Sequence, residues 1–304
     1  MKIAEIFCSI QGEGKLAGTP STFVRTSGCN LRCTWCDTPY TSWRPEGEAV
    51  GLDEILGRVH EFPARHVVLT GGEPMIAPEI EELTRRIAEA GYHLTIETAG
   101  TVWRDVVCDL ASVSPKLANS TPSIQTATDL RTATGIRTAT GMERPPSRTA
   151  TDMERPPIRT ATRMERTPIR TATRMERTPI RTATRMERTP IRTATGMERD
   201  SDAAKWAEVH EKQRIQLDVI RRFMAFDDYQ LKFVIDRPDD MAEVESLLAD
   251  LGRVERSKVL LMPQAVTVEE LAARSPWIHD LCAAHGFTFG PRLHIERFGN
   301  RRGT

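Results

Sequence analysis

Short apolar runs alternate with amphipathic segments along most of this chain. Six runs predict buried strands, at 22–25, 66–70, 94–97, 106–110, 230–235 and 259–262. Apolar positions at helical spacing predict helices over 78–90 and 241–251. Because strands and helices alternate, we expect an α/β fold built on a parallel sheet.

Glycine-rich or polar groups follow three of the predicted strands, at 71–73, 97–98 and 114–116. In α/β proteins, functional residues collect at the carboxyl ends of the strands, whether the sheet is open or curls into a barrel. The pattern leaves open which of these two forms the sheet takes. In either form, we expect the functional site at this edge.

An 11-residue repeat interrupts the alternation. Methionine recurs every 11 residues from Met142 to Met197, in units reading Ile-Arg-Thr-Ala-Thr-Arg-Met-Glu-Arg-Thr-Pro. Each full unit contains proline and has little to bury, so we predict a low-complexity, largely disordered insertion. An Arg-rich surface for an acidic partner is the alternative. The expected domains are a first core part over 1–125, the insertion over 126–199, and a second core part over 200–304.

Charge is balanced in total but not along the chain. The 304 residues include 42 basic and 42 acidic side chains, whereas 126–199 holds 16 Arg against 8 acidic residues, so the remainder is acidic. The totals give no indication of a nucleic-acid or membrane partner. No apolar stretch reaches the roughly 20 residues that span a bilayer. The first residues also lack the pattern of a secretion signal, so a cytoplasmic location is expected.

Three of the six cysteines, Cys29, Cys33 and Cys36, lie within eight residues on a loop after a predicted strand. A structural zinc site requires four protein ligands, and the sequence offers no second Cys or His pair. The other three cysteines are isolated, and we interpret them as buried apolar residues. The spacing therefore indicates a [4Fe–4S] cluster with one iron position left open.

The cysteine motif and the segment Gly71-Gly72-Glu73-Pro74 together resemble the radical S-adenosylmethionine superfamily. In that superfamily the open iron binds S-adenosylmethionine, whose reductive cleavage gives a 5′-deoxyadenosyl radical. Two adjacent glycines would allow the backbone to approach the methionyl amino group closely. The resemblance implies a partial (βα)6-type barrel with mostly parallel strands, interrupted by the insertion.

A narrower resemblance covers 1–117 and 201–304, to the 7-carboxy-7-deazaguanine synthase family of queuosine and 7-deazapurine biosynthesis. The matching segments are 5–7, 9–14, 23–25, 36–38, 64–74, 97–101, 114–116, 261–264 and 292–294. The resemblance implies a lyase that converts 6-carboxy-5,6,7,8-tetrahydropterin to 7-carboxy-7-deazaguanine with loss of ammonia. It also implies a homodimer and an electron donor such as flavodoxin or ferredoxin, with no membrane or nucleic-acid partner.

The resemblance also assigns site residues. The metal ligands are Cys29, Cys33 and Cys36 for the cluster and Thr38 for Mg²⁺. The cosubstrate site comprises Trp35, Cys36, Asp37, Gly72, Glu73, Ser114, Pro115, Lys116, Leu261, Met262, Pro263 and Gln264. The substrate site comprises Ile10, Gln11, Gly12, Glu13, Arg25, Thr70, His294 and Thr304. No residue is assigned as a direct acid or base, because the cofactor radical carries the chemistry.

Physical arguments bear on two of these assignments. Arg25 lies inside an apolar strand, where an unpaired guanidinium is costly, so we expect a bound anion such as the substrate carboxylate to pair with it. Thr38 alone is a weak magnesium site without carboxylates, so substrate and water would supply further oxygens. The resemblance further implies that the tail folds over the substrate, with the carboxylate of Thr304 binding the pterin.

Two alternatives remain at this point. A glycyl-radical activase of the same superfamily also combines a three-cysteine loop with Gly-Gly-Glu. A cluster-bearing or zinc-bearing module that binds nucleic acid through the Arg-rich repeat belongs to a different class. In each case, we predict that the insertion leaves from a loop and does not cross the sheet, because breaking a buried strand would expose unpaired backbone groups.

Overall fold

A computed structural model describes residues 1–123 and 196–304 of the chain. In these ranges, one nine-stranded sheet has the order β3-β1-β2-β4-β5-β6-β7-β8-β9. The strands are β1 (Lys2–Ile10), β2 (Pro20–Thr26), β3 (Glu48–Ala49), β4 (His66–Gly71), β5 (His93–Thr98), β6 (Leu110–Val113), β7 (Tyr229–Ile235), β8 (Val259–Pro263) and β9 (Thr288–Phe289). β1 is antiparallel to β2 and β3, and all the other pairs are parallel. Strand pairing does not close this described sheet into a complete barrel.

The described helices follow the strands. They are α1 (Leu52–His60), α2 (Ile80–Glu89), α3 (Gly196–Gln213), α4 (Leu217–Met224), α5 (Asp240–Leu251), α6 (Val268–His285) and α7 (Leu293–Phe298). In α2, Ile80, Leu83 and Ile87 are buried at the spacing of one helical face. α6 begins at a capping box in which Thr267 and Glu270 satisfy each other's backbone N–H groups. Local sequence therefore determines where these helices begin and which face they bury.

Side chains of the parallel strands alternate between two faces. In β7, Leu231 and Phe233 are fully buried in the main core with the helices, whereas Lys232 and Val234 line a cavity. Successive residues of a strand point to opposite faces, so neighbouring strands repeat this division. The cavity face also presents Arg25, Thr70, Glu97, Ser112 and Met262. The fold therefore packs one face of the sheet against helices and leaves a largely polar face for a site.

Most predicted elements coincide with observed ones, and one strand is wrongly placed. Strands predicted at 22–25, 66–70, 94–97, 230–235 and 259–262 fall within β2, β4, β5, β7 and β8, and the two predicted helices correspond to α2 and α5. The strand predicted at 106–110 begins only at Leu110 and continues to Val113.

The apolar run before β6 is a loop because its side chains do not share one environment. Val106 is buried, whereas Val107 is 40% exposed. The Asp109 carboxylate accepts a hydrogen bond from the Leu94 N–H at 2.7 Å. In a regular strand pair, a backbone carbonyl would be the acceptor at this place. β1 is not among the predicted strands either. Seven of its nine residues are half-buried, so it has no clear apolar alternation.

The repeat insertion lies outside the described residues, apart from 196–199 at the start of α3, and so does the domain boundary predicted between 125 and 126. The boundary predicted between 199 and 200 falls within α3. The strands on either side of it in sequence, β6 and β7, are neighbours in the sheet, with Val113 opposite Leu231. Among the described helices, none has the length and apolar character needed to span a bilayer.

Candidate active site

A cavity of about 540 Å³ lies at the carboxyl ends of the parallel strands. Strand ends contribute Thr70, Glu97 and Ser114 to its lining, and the cysteine loop contributes Cys29, Cys33 and Cys36. Two segments predicted to bind different molecules, the cysteine loop and the Gln11–Glu13 loop, therefore face one common space. A volume of this order suits a cosubstrate and a small substrate together.

The three cysteines of the loop share one small apolar cluster, in which Cys33 is buried and Cys29 and Cys36 are half-buried. Cys33 is buried with Leu31, and Cys29 and Cys36 pack against the same small apolar cluster. Burial raises the pKa of the Cys29 thiol to about 12, and the neighbouring Cys36 contributes to the increase. Burial likewise raises the pKa of Cys33 and of Cys36 above the ordinary value of a thiol. Without a metal these groups are thiols, so cluster binding must displace their protons.

The donor set fits a polynuclear cluster. In the described residues, no three His, Cys, Asp or Glu side chains are arranged to hold one metal ion. In a [4Fe–4S] cluster each thiolate binds a different iron atom, so the cysteines need to surround a volume and not a point. The loop offers three soft sulfur donors beside open cavity space, which is what such a cluster requires.

The backbone of the Gly-Gly-Glu segment packs directly against the start of the cysteine loop. A Cβ atom on Gly72 would lie 2.2 Å from the Gly28 carbonyl oxygen and 2.8 Å from the Cys29 Cβ, so only glycine permits this close approach. The Glu73 N–H donates to the same carbonyl at 2.9 Å. The end of β4 and the start of the cysteine loop are therefore packed backbone to backbone.

Glu73 itself lies behind the cavity wall. Its carboxyl group is fully buried and accepts hydrogen bonds from the Met75 N–H at 3.1 Å, the Thr98 hydroxyl at 2.7 Å and the Ala99 N–H at 2.8 Å. Burial raises the pKa of Glu73, while these hydrogen bonds act in the opposite direction. Glu73 therefore joins the ends of β4 and β5 by hydrogen bonds.

Charged side chains form a second wall of the cavity. The Lys232 ammonium lies 3.0 Å from Glu13 and 3.4 Å from Glu97, and the Gln11 amide donates to Glu97 at 3.1 Å. Burial alone would raise the pKa of Glu13, but Lys232 and Arg292 outweigh it and lower that pKa below its usual range. Burial would lower the pKa of Lys232, but the two carboxylates raise it. Glu13 and Lys232 are therefore both charged at neutral pH.

Arg292 and His294 bring the start of α7 to this wall. Arg292 lies 2.8 Å from Asp37 of the cysteine loop and 3.3 Å from Glu13. The His294 Nε2 lies 4.0 Å from Glu13, and burial lowers the pKa of its imidazole. A Cβ on Gly12 would lie 2.1 Å from the His294 Nδ1, so this glycine permits the contact. His294 thus lines the cavity and is not only a core residue.

The expectation that Arg25 lacks a protein partner is wrong. Its Nε lies 2.7 Å from the Glu5 carboxylate, which also accepts a hydrogen bond from the Tyr40 hydroxyl at 2.8 Å. The antiparallel pairing of β1 with β2 places Glu5 opposite Arg25. β1 is not predicted from the sequence, so this partner is not predicted either. Arg25 still lines the cavity, but burial alone no longer requires an anion there.

The end of the chain reaches the cavity. Residues 300–304 are part of its lining, including Thr304. Arg302 forms an ion pair with Glu46 at 2.9 Å, and its guanidinium lies 4.2 Å from the centre of the Tyr40 ring. These contacts attach the tail to the loop that follows the cysteines.

Most, but not all, predicted site residues line the cavity. Those that do are Ile10, Gln11, Gly12, Glu13, Arg25, Cys29, Cys33, Trp35, Cys36, Asp37, Thr38, Thr70, Gly72, Ser114, Lys116, Met262, His294 and Thr304. Those that do not are Glu73, Pro115, Leu261, Pro263 and Gln264. In β8, Leu261 belongs to the main core because it alternates with Met262, and the Gln264 N–H donates to the Ile235 carbonyl at 2.9 Å.

Five charged residues of the cavity are not among the predicted site residues, namely Glu97, Lys232, Arg292, Arg301 and Arg302. Lys232 could have been found from the sequence, because a charged residue within the apolar run Leu231-Lys232-Phe233-Val234 indicates a buried charge that needs a partner. Glu97 lies at the carboxyl end of a strand, where functional residues of α/β folds collect. Nothing in the sequence indicates that these two residues, together with Glu13, form one network.

Comparison with known proteins identifies the family. The profile of the radical SAM superfamily matches residues 23–144. The chain is 36% identical over 301 residues to the 7-carboxy-7-deazaguanine synthase of Halobacterium salinarum, covering 97% of this chain and 89% of that protein. It is 34% identical over 303 residues to the same-named protein of Rhodopirellula baltica, covering 99% and 88%. The chain belongs to the 7-carboxy-7-deazaguanine synthase family.

Membership in the 7-carboxy-7-deazaguanine synthase family makes the chain a radical SAM enzyme, for which a [4Fe–4S] cluster and S-adenosylmethionine are the cofactors. The crystal structure of QueE from Escherichia coli shares the fold, with a TM-score of 0.52, 19% identity, and coverage of 95% of this chain and 92% of that one. These relatives do not favour the glycyl-radical activase or the nucleic-acid-binding module.

Proposed function

We propose that this chain converts 6-carboxy-5,6,7,8-tetrahydropterin to 7-carboxy-7-deazaguanine with loss of ammonia, a lyase reaction of queuosine and 7-deazapurine biosynthesis. The observation that carries the proposal is the near full-length similarity to two proteins of that name. A single cavity that combines the cysteine loop with a polar substrate wall supports it.

In this proposal Cys29, Cys33 and Cys36 ligate the cluster. Trp35, Asp37, Gly72, Ser114, Lys116 and Met262 form the cosubstrate side, with Glu73, Pro115, Leu261, Pro263 and Gln264 supporting it from outside the lining. Bound S-adenosylmethionine supplies the carbon radical that removes a hydrogen atom from the substrate. The protein excludes water and holds the reacting carbon of the substrate close to this radical. The two groups then react from a fixed orientation and not by random collision.

The substrate side comprises Ile10, Gln11, Gly12, Glu13, Arg25, Thr70, His294 and Thr304. A guanidinium has five N–H donors, and the pairing of Arg25 with Glu5 uses the one at Nε. Arg25 therefore retains donors for the substrate carboxylate, and Glu5 fixes the orientation of its planar group. Glu13 and Lys232 hold each other charged, which gives the wall fixed polarity before the substrate binds.

We extend the proposal to Mg²⁺, held by the Thr38 hydroxyl together with substrate and water oxygens. Thr38 lines the cavity, and its Oγ1 lies 3.9 Å from the Cys36 sulfur. Family membership supports a homodimer and an electron donor of the flavodoxin or ferredoxin type. A cytoplasmic location agrees with six unpaired cysteines, since a reducing compartment keeps thiols free.

The proposal is tested by anaerobic reconstitution with iron and sulfide, followed by addition of S-adenosylmethionine, a low-potential reductant and the carboxylated pterin. We expect 5′-deoxyadenosine, 7-carboxy-7-deazaguanine and ammonia. A glycyl-radical activase would instead give 5′-deoxyadenosine with a radical on an added protein and no deazaguanine. A nucleic-acid-binding module would give a salt-sensitive complex and no cosubstrate cleavage.

The matched variants are the triple change C29A/C33A/C36A and the control Cys108→Ala. Cys108 is half-buried and lies outside the cavity lining, so its variant is expected to retain cluster and turnover. The triple variant is expected to bind no cluster and to form no product. Full activity of the triple variant would overturn the assignment of the cysteines.

A further inference from the structure

α3, the first described helix after the repeat, packs against the cysteine loop. Trp206 and His210 lie four residues apart on α3, which places them on one helical face. The Arg32 guanidinium lies 4.1 Å from the centre of the Trp206 ring. The Arg32 backbone N–H donates to the His210 Nδ1 at 3.2 Å. Arg32 lies between Cys29 and Cys33, so the contact is made within the cysteine motif itself.

The hydrogen bonds of His210 indicate which nitrogen of its imidazole is protonated. His210 is fully buried, and its Nε2 lies 2.9 Å from the Ser120 hydroxyl oxygen. That hydroxyl donates its own proton to the Leu117 carbonyl at 2.6 Å, so it must accept a hydrogen from Nε2. The Nδ1 must be unprotonated, because it accepts from Arg32. His210 is therefore a neutral imidazole with a donor on one side and an acceptor on the other.

A short 3-10 turn, Ala118–Ser120, contains Ser120 and binds the cysteine loop a second time. The Ser120 carbonyl accepts a hydrogen bond from the Thr34 N–H at 2.8 Å. The backbone N–H groups on both sides of Cys33 are thus attached to one unit, made of His210 and Ser120. This turn follows β6 and the segment Ser114–Lys116, which contributes Ser114 and Lys116 to the cavity. The unit therefore connects the cysteine side of the cavity to the strand end beside it.

We propose that His210 is a positioning residue that holds the backbone around Cys33 against the end of β6, so that the cluster ligands and the cosubstrate-binding strand end keep a fixed geometry. The proposal rests on the proposed function for the role of the cysteines. It goes beyond that function because it assigns to α3, which follows the repeat in sequence, a direct part in ordering the cysteine loop.

Two conservative substitutions test the two hydrogen bonds of His210 one at a time. In His210→Asn, the side-chain oxygen takes the place of Nδ1 and can accept from the Arg32 N–H, whereas the bond to Ser120 is lost. In His210→Gln, the amide nitrogen takes the place of Nε2 and can donate to Ser120, whereas the bond to Arg32 is lost. His210→Ala removes both. Lys212→Ala is the control, because Lys212 lies on the same helix and its side chain is 71% exposed.

The first measurement is amide hydrogen exchange of Arg32 and Thr34 in the cluster-free protein, which needs neither cofactor nor substrate. We expect His210→Ala and His210→Gln to speed exchange at Arg32 by about tenfold, the effect of losing one hydrogen bond. His210→Asn and Lys212→Ala are expected to match the unsubstituted protein. Equal exchange in the Asn and Gln variants would overturn the proposal, because a general packing role does not distinguish them.

The second measurement is made on the reconstituted protein, as iron and sulfide per chain and as 5′-deoxyadenosine formed per product. We expect His210→Gln to load less cluster and to cleave more cosubstrate without product, with His210→Asn restoring both values. Unchanged loading and coupling in His210→Gln would also overturn the proposal. If the unsubstituted protein forms no deazaguanine, the proposed function fails, while the exchange measurement still decides the role of His210.

Discussion

The ammonium of Lys232 lies 3.0 Å from the carboxylate of Glu13, although 219 residues separate them in sequence. The Lys232 side chain is only 4% exposed, so this is a buried ion pair. Glu13 follows β1, and Lys232 is in β7, on the other side of the repeat. The polar wall of the cavity therefore depends on both parts of the core at once.

Replacing Lys232 by Met is expected to destabilise the protein strongly. The substitution leaves Glu13 and Glu97, which are 16% and 20% exposed, without their shared cation, while Glu13 keeps Arg292 at 3.3 Å. We therefore expect a cost of about 1.5–3 kcal/mol, the range for a hydrogen bond to a charged group. Urea unfolding of the cluster-free protein, followed by circular dichroism, measures it. Lys212→Met removes an exposed pair and is expected to cost under about 1 kcal/mol. Equal losses in both variants would contradict a special role for the buried pair.

Replacing Gly12 by Ala is expected to displace His294. The added Cβ would lie 2.1 Å from the His294 Nδ1, far inside contact distance. We therefore expect a higher KM for the pterin, with cluster content unchanged, in steady-state assays. Gly57→Ala is the control: a Cβ there meets nothing within 4 Å, and alanine stabilises an exposed helix position by about 0.5–1 kcal/mol. An unchanged KM in Gly12→Ala would refute the importance of the contact.

Replacing Arg25 by Lys is expected to raise KM for the pterin about tenfold or more, because a lysine cannot pair with Glu5 and a substrate carboxylate through one planar group. Cluster content and the affinity for S-adenosylmethionine are expected to stay the same. Arg58→Lys, which alters an exposed ion pair on α1, serves as the control and is expected to leave KM unchanged. A normal KM in Arg25→Lys would place the substrate carboxylate elsewhere.

Acid is expected to destabilise the cluster-free protein through His210. Burial lowers the pKa of this imidazole from 6.5 to about 4, with Arg214 and Lys116 lowering it further and Glu211 opposing them. The unfolded chain therefore binds a proton that the folded chain excludes. The stability that His210 contributes is fully present above pH 6.5 and is lost as the pH falls toward 4.

Urea unfolding between pH 4.5 and 7.5 measures this dependence. Below the ordinary histidine pKa, the unsubstituted protein is expected to lose up to about 1.4 kcal/mol per pH unit more than His210→Asn, which has no proton to gain. Identical pH profiles for the two proteins would show that the pKa of His210 is the same in the folded and unfolded chains, contrary to the lowering by burial.

Deleting 126–199 is expected to preserve folding, cluster content and turnover. β6 and β7 are adjacent parallel strands, so the segment between them is not needed to complete the sheet. The deletion also retains Trp206 and His210. A longer deletion, through residue 213, removes both and is expected to reduce cluster loading. Loss of folding in the shorter deletion would refute the prediction.

Sequence alone determined the local features of this protein. The apolar run 66–70 predicts β4 because several β-branched and apolar residues in succession suit a strand buried on both faces. Cys29, Cys33 and Cys36 indicate a cluster loop because their chemistry is contained in eight adjacent residues. Helix α2 was predictable for the same reason, since its buried face repeats within a few residues.

The tertiary structure alone decided which charged groups meet. Glu5 pairs with Arg25 through the register of β1 and β2, and Lys232 reaches Glu13 because it faces the cavity side of β7. A shift of one residue in the pairing of β1 or β7 would turn Glu5 or Lys232 to the opposite face of the sheet. Their ion pairs therefore depend on strand register and not on local sequence. The contact of His210 with Arg32 likewise exists only because packing brings α3 onto a loop 178 residues away.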